Sequence, residues 1–166
     1  MSKNEFYTTL QRDIGALLTG ETEFLPIMAN VSALLYERLK AVNWVGFYLL
    51  TSPKQLILGP FQGKIACVRI PVGQGVCGTA VASGQIQRVD DVNQFQGHIA
   101  CDASTNSEIV FPLTINNEII GVLDIDSVEM ARFDEQDQQG LLGVVDILNQ
   151  VLAGTELQKF LNLTAD

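Results

Sequence analysis

Three thiols and three carboxyl groups are the side chains of this sequence best equipped for chemistry: Cys67, Cys77 and Cys101, then Glu108, Asp124 and Asp126. A thiolate is a nucleophile and an electron donor, whereas a thiol among apolar neighbours is a small inert hydrophobe. Carboxylates hold cations, and a carboxyl kept neutral by its surroundings donates a hydrogen bond or a proton. Cys101 falls in a small, polar stretch that runs from Gly97 into an apolar segment entered at Glu108. A loop residue carried by a rigid strand is a common position for catalysis. The expectation is that these groups converge on one small-molecule pocket.

Each residue also has a plainer reading. Asp124 and Asp126 lie two apart on a strand, so they point to one side, which Ile120 and Val122 share. Two charges on an apolar face need partners, unless the strand end emerges into solvent at Asp126-Ser127. Glu108 is either a third pocket carboxyl or an exposed strand boundary. Trp44 and Tyr48 share a face and suit core packing as well as substrate contact. Cys67 is expected on a strand face with Ile65 and Arg69. His98 precedes Cys101 by three residues but need not be its base.

Three cysteines and His98 could supply four metal ligands, but the closely spaced cysteine pairs of structural zinc sites are missing. No metal and no cofactor is therefore expected. Gly73-Gln74-Gly75-Val76-Cys77-Gly78 satisfies G-x-G-x-x-G, yet it lies mid-chain before a helix too short for a dinucleotide crossover. It reads as a tight turn into a short helix, with Cys77 near the helix N-terminus, where a thiolate is favoured.

The elements that must position these groups follow from periodicity. Phe6, Leu10, Ile14 and Leu17 mark a helical face over residues 4–18, and Gly20 stops it. A second helix starts near Phe24-Leu25-Pro26 and buries Ile27, Val31, Leu34 and Leu35. Strands are expected over 43–50, 55–61, 65–70 and 85–89, and residues 108–113 and 118–126 form a hairpin turned at Ile115-Asn116-Asn117. Asp134 to Asp137 opens a last helix that buries Leu141, Val144, Val145, Leu148, Val151 and Leu152, and the chain frays after Gly154. The pattern is α+β: about six antiparallel strands with the terminal helices on one face. The long loop over 90–107 covers a pocket on the other face.

Composition narrows the function classes. The 166 residues are 47% hydrophobic and 17% charged, a globular balance with room for a core. A net charge of −9 disfavours nucleic acid and anionic membranes as partners. No apolar run reaches the roughly 20 residues that span a bilayer. Met1-Ser2-Lys3-Asn4-Glu5 leads directly into the first helix with no secretory leader, and three cysteines fit a reducing compartment, so a cytoplasmic location is expected.

Four segments then become specific together. Gly75-Val76-Cys77-Gly78, His98-Ile99-Ala100-Cys101-Asp102, Ser107-Glu108-Ile109-Val110 and Gly121-Val122-Leu123-Asp124-Ile125-Asp126-Ser127 resemble, in this order, the free methionine-(R)-sulfoxide reductases. These are single-domain GAF proteins, and the likeness runs from the first helix to the last. It implies one GAF-like catalytic domain over residues 1–166 that reduces free L-methionine-(R)-sulfoxide. The resemblance makes Cys101 the nucleophile and Cys67 the resolving thiol, with Cys77 a further exchange step or an alternative. It gives Glu108, Asp124 and Asp126 the substrate ammonium group and the sulfoxide oxygen, and Trp44 and Tyr48 the methyl end. Thioredoxin would be the reductant and a homodimer the assembly. A non-enzymatic GAF sensor and a thiol redox switch are the competing readings.

Overall fold

The computed structural model describes residues 1–164. Two helices come first, α1 (Lys3–Leu18) and α2 (Phe24–Arg38). Ser2 and Glu5 form a reciprocal cap on α1, each side chain bonded to the other's backbone N–H, which fixes where the helix begins. The buried face of α1 is Tyr7, Leu10, Ile14 and Leu18; Leu17, expected inside, is largely exposed. The stripe is therefore displaced by about one residue, because Tyr7 meets the last long helix. In α2, Ile27, Met28, Val31 and Leu35 are buried, and Leu34 packs at the edge.

Six strands follow: β1 (Val42–Ser52), β2 (Gln55–Gly63), β3 (Arg69–Pro71), β4 (Gln87–Val89), β5 (Ser107–Ile115) and β6 (Glu118–Ser127). They form one antiparallel sheet in the order β3-β2-β1-β6-β5-β4. Between β3 and β4 lies α3 (Gly75–Ser83), and after β6 come α4 (Glu135–Ala153) and α5 (Leu157–Thr164). The third strand is three residues long rather than the six expected, so Ile65 and Cys67 lie in the connection before it. Fraying after Gly154 is also overturned: Leu157 and Leu161 of α5 are buried in the core.

Alternation on the central strands sends side chains to two separate cores. Val45, Phe47, Leu49, Ile109, Phe111, Leu123 and Ile125 meet α1, α2, α4 and α5. Trp44, Tyr48, Val110 and Val122 face the other way, against Val76, Cys77 and Ala80 of α3. A register shift between β5 and β6 leaves Ile120 between the pairs Leu113–Gly121 and Thr114–Ile119. Ile120 therefore joins the helix-side core instead of the aspartate side. Tyr7 donates to Asp137 at 2.7 Å and the Gln11 amide to the Gly140 carbonyl at 2.9 Å, joining α1 to α4.

Asn116 and Asn117, both at positive φ, make the tight β5–β6 turn, which fixes the pairing that the site depends on. Glu108 stands directly opposite Asp126, and Asp126 opposite Trp44 on its other side. Asp124 lies between Val110 and Gly46. All three acidic side chains thus point away from the helical layer, toward α3 and the loop after β4.

Candidate active site

The cavity on this second face gathers residues that lie far apart in the chain. Trp44 and Tyr48 come from β1, Glu108 from β5, Asp124 and Asp126 from β6, Cys77 from α3, and His98, Ile99 and Cys101 from the loop before β5. Its volume is about 50 Å³, space for a few waters. Glu108, Asp124, Cys77, Trp44 and Tyr48 are buried; Asp126 is half-buried. The solvated-strand reading of the aspartates therefore fails, and so does the boundary reading of Glu108.

The aromatic wall is preset. Trp44 stacks on Tyr48 at 5.8 Å and on Phe61 at 5.2 Å between ring centroids. The Trp44 indole N–H donates to the Lys64 carbonyl at 3.1 Å. Gly46 makes this possible, since a Cβ there would overlap both the Trp44 ring and Phe61. Tyr48 does more than line the wall: its hydroxyl donates to the Cys67 carbonyl at 2.8 Å, holding the connection that carries that thiol.

That connection and the loop after β4 are joined covalently. Cys67 and Cys101 form a disulfide with their Cα atoms 5.6 Å apart, within the ordinary range for such a bridge. Cys67 is in a loop, not on the strand face expected, because β3 starts two residues later. Cys101 is exposed at the rim. The Asn43 side-chain amide donates to Asp102 at 3.2 Å and to the Thr105 hydroxyl at 3.0 Å, tying the Cys101 loop to the start of β1. Gly75 at positive φ donates its N–H to the Gly97 carbonyl at 3.1 Å and lies against Ile99, tying the same loop to α3. Sequence reasoning missed Asn43 and Thr105; an amide at the mouth of an apolar strand was the available signal.

Cys77 is the free thiol, and it is buried. The helix N-terminus was expected to favour its thiolate, but the opposite holds. Burial first, then the charge of Asp124, pushes the thiol well up. Three carboxyls nearby outweigh the partial charge of a helix of nine residues.

The carboxyls also shift one another. Burial, followed by the neighbouring Asp124 charge, drives Glu108 and Asp126 well above the usual carboxyl range. Asp124 is raised by burial too, but hydrogen bonds from Glu108, Asp126 and Cys77 oppose that rise. Asp124 is thus the member of the group best suited to carry the negative charge, with protons held on the other two. As plain carboxylates, Asp124 Oδ1 and Asp126 Oδ1 find no donor in the protein. Either shared protons or a cation must supply what they lack. His98, half-buried, is shifted down by burial against the pull of Asp124, so it brings no firm positive charge. No Lys or Arg lines the cavity among the described residues.

A six-stranded antiparallel sheet with flanking helices and a loop-covered pocket defines the class, and residues 27–153 match the GAF domain family. The chain is 63% identical to the free methionine-R-sulfoxide reductase of Escherichia coli, over 96% of each chain. Solved structures agree. The free methionine-R-sulfoxide reductase of Neisseria meningitidis, in complex with its substrate, superposes with a TM-score of 0.88 at 41% identity, covering 93% of this chain and 92% of that one. The substrate complex of fRMsr from Staphylococcus aureus gives 0.84 at 51% identity, with 89% and 95% covered. The chain belongs to the free methionine-R-sulfoxide reductases, a family of oxidoreductases built on the GAF domain.

Proposed function

We propose that this protein reduces free L-methionine-(R)-sulfoxide to L-methionine with Cys101 as nucleophile and Cys67 as resolving thiol. The observation that carries this reading is the placement of the Cys67–Cys101 disulfide at the rim of a cavity holding three buried carboxyls and an aromatic wall. The bridge corresponds to the oxidised end of a catalytic cycle. The substrate ammonium group supplies the positive charge that the cavity lacks, opposite Asp124. Trp44 and Tyr48 receive the methyl and sulfur end, a favourable sulfur–aromatic contact.

The chemistry balances in three steps. The Cys101 thiolate attacks the sulfoxide sulfur while a protonated carboxyl, Glu108 or Asp126, gives its proton to the oxygen. The bond between the two sulfurs then breaks as the oxygen passes from the methionine sulfur to the Cys101 sulfur, so methionine departs and Cys101 becomes the sulfenic acid. Cys67 attacks that sulfur, water leaves, and the disulfide forms. A dithiol reductant, which we propose to be thioredoxin, returns both thiols by exchange. Cys77, buried and held protonated, is a poor second nucleophile in this state. We also propose a homodimer as the assembly, which sedimentation at several concentrations tests.

Single-turnover assays of cysteine variants test the assignment. Cys101→Ser should release no methionine while its thermal melt stays intact. Cys67→Ser should release one methionine per enzyme and then stop when thioredoxin is the only reductant. Normal cycling by Cys67→Ser would move the resolving role to Cys77, and turnover by Cys101→Ser would remove the nucleophile assignment.

A further inference from the structure

We propose that Cys77, Glu108 and Asp124 form a binding site for a thiophilic divalent cation, with Zn²⁺ as the reference ion, whether the Cys67–Cys101 pair is oxidised or reduced. The site is not the one that counting cysteines with His98 points to; it uses one thiol and two carboxyls from three separate elements. Their ligand atoms all lie within 4.8 Å of one another, and all three residues are buried. Among the described residues this is the one group of three such side chains so arranged.

A second observation points to a cation. Asp124 is only 5% exposed, lines the cavity, and its Oδ1 has no hydrogen-bond donor. Asp126 Oδ1, beside it, has none either. The donor set is one sulfur and two oxygens, with the cavity on the open side. Three protein ligands with one exchangeable position is a familiar zinc arrangement. Bond lengths of about 2.0–2.3 Å require the tripod to contract by about an ångström, within reach of side-chain rotation. The thiolate selects Zn²⁺ over Mg²⁺ or Ca²⁺, which prefer oxygen alone. Such an ion would occupy the place that the proposed function gives to the substrate ammonium group, so it is an occupant competing with substrate and not a cofactor of the reduction.

The disulfide form suits the test, because Cys77 is then the free thiol. Titration with Co²⁺ should give a thiolate-to-cobalt charge-transfer band that saturates at one ion per chain and is displaced by Zn²⁺ but not by Mg²⁺. Cys77→Ser should abolish the band, and Asp124→Asn, which keeps the thiol, should weaken binding at least tenfold. The Cys67→Ser/Cys101→Ser double variant should bind as the parent does. No band from folded, oxidised protein would overturn the proposal. So would a band that survives Cys77→Ser, or one lost in the double variant. Neither result bears on sulfoxide turnover, which is measured without metal, so the two readings fail separately.

Discussion

A thiol attacks only as its anion, and the cysteines around this cavity meet opposite conditions for forming one. Cys77 is enclosed and faces Asp124, which holds its proton on. Cys101 lies at the exposed rim, where water can support a thiolate. The carboxyls carry a further consequence. Glu108 and Asp126 have raised values in the folded protein, so the stabilisation they give is present below the ordinary carboxyl range and is lost as pH rises through those raised values. Glu108→Gln keeps the shape and stays neutral at every pH. It should melt a few degrees higher than the parent at pH 8, with the gap closing toward pH 4, while losing most of its turnover. Thermal melts at both pH values check this; equal melting points at pH 8 would show that burial of Glu108 costs nothing. Asp124→Asn, which removes the charge proposed to hold the ammonium group, should raise KM at least tenfold.

At the scale of elements, the strand pairing and two loop anchors decide where the thiols stand. Glu108, Asp126 and Trp44 form one row across β5, β6 and β1, so a single hairpin register sets the whole acidic floor. Asn43 ties down the Cys101 loop through Asp102 and Thr105. Asn43→Ala should leave the stability within about 1 kcal/mol of the parent and lower kcat/KM on the order of tenfold, since the sulfur proposed to attack would be less well placed. Unchanged kinetics would show that the disulfide-bearing loop holds itself. The sequence made most of these elements legible, and physical reasons explain the rest. The β5–β6 hairpin announced itself through Asn116-Asn117 between two apolar runs. The acidic row was visible as a two-residue spacing, but its burial was not, because periodicity gives a face and never says what covers it. The third strand was overdrawn since Ile65 and Val68 look like strand residues, yet both are exposed in the connection that carries Cys67. α5 was missed because eight residues after a glycine resemble a fraying end until Leu157 and Leu161 find the core.

For the molecule as a whole, the disulfide joins two segments at the pocket, the connection that carries Cys67 and the loop that carries Cys101. With Cys67 bound to Cys101, the loop that lines the cavity is fastened at its rim. Substrate should therefore bind the reduced protein and not the oxidised one. Titration followed by Trp44 fluorescence checks this in Cys101→Ser, which cannot close the bridge, against the oxidised parent; equal affinity would mean that the bridge does not gate the pocket. Away from the site, α1 and α4 are joined through Lys3, Tyr7, Asp134 and Asp137. The Lys3 hydrogen bond and the Asp137 backbone N–H hold Asp134 down to about 2. Its contribution is present above the ordinary aspartate range and lost as pH falls toward 2, a small effect for so exposed a pair. No helix among the described residues is long and apolar enough to cross a membrane. The measurement that bears most directly on the central claim is methionine release from a racemic mixture of free L-methionine sulfoxide epimers, with dithiothreitol as reductant. The account predicts that the R epimer alone is consumed, to completion, with the S epimer left in place. Folded, reduced protein that consumes neither epimer, or both equally, would contradict it.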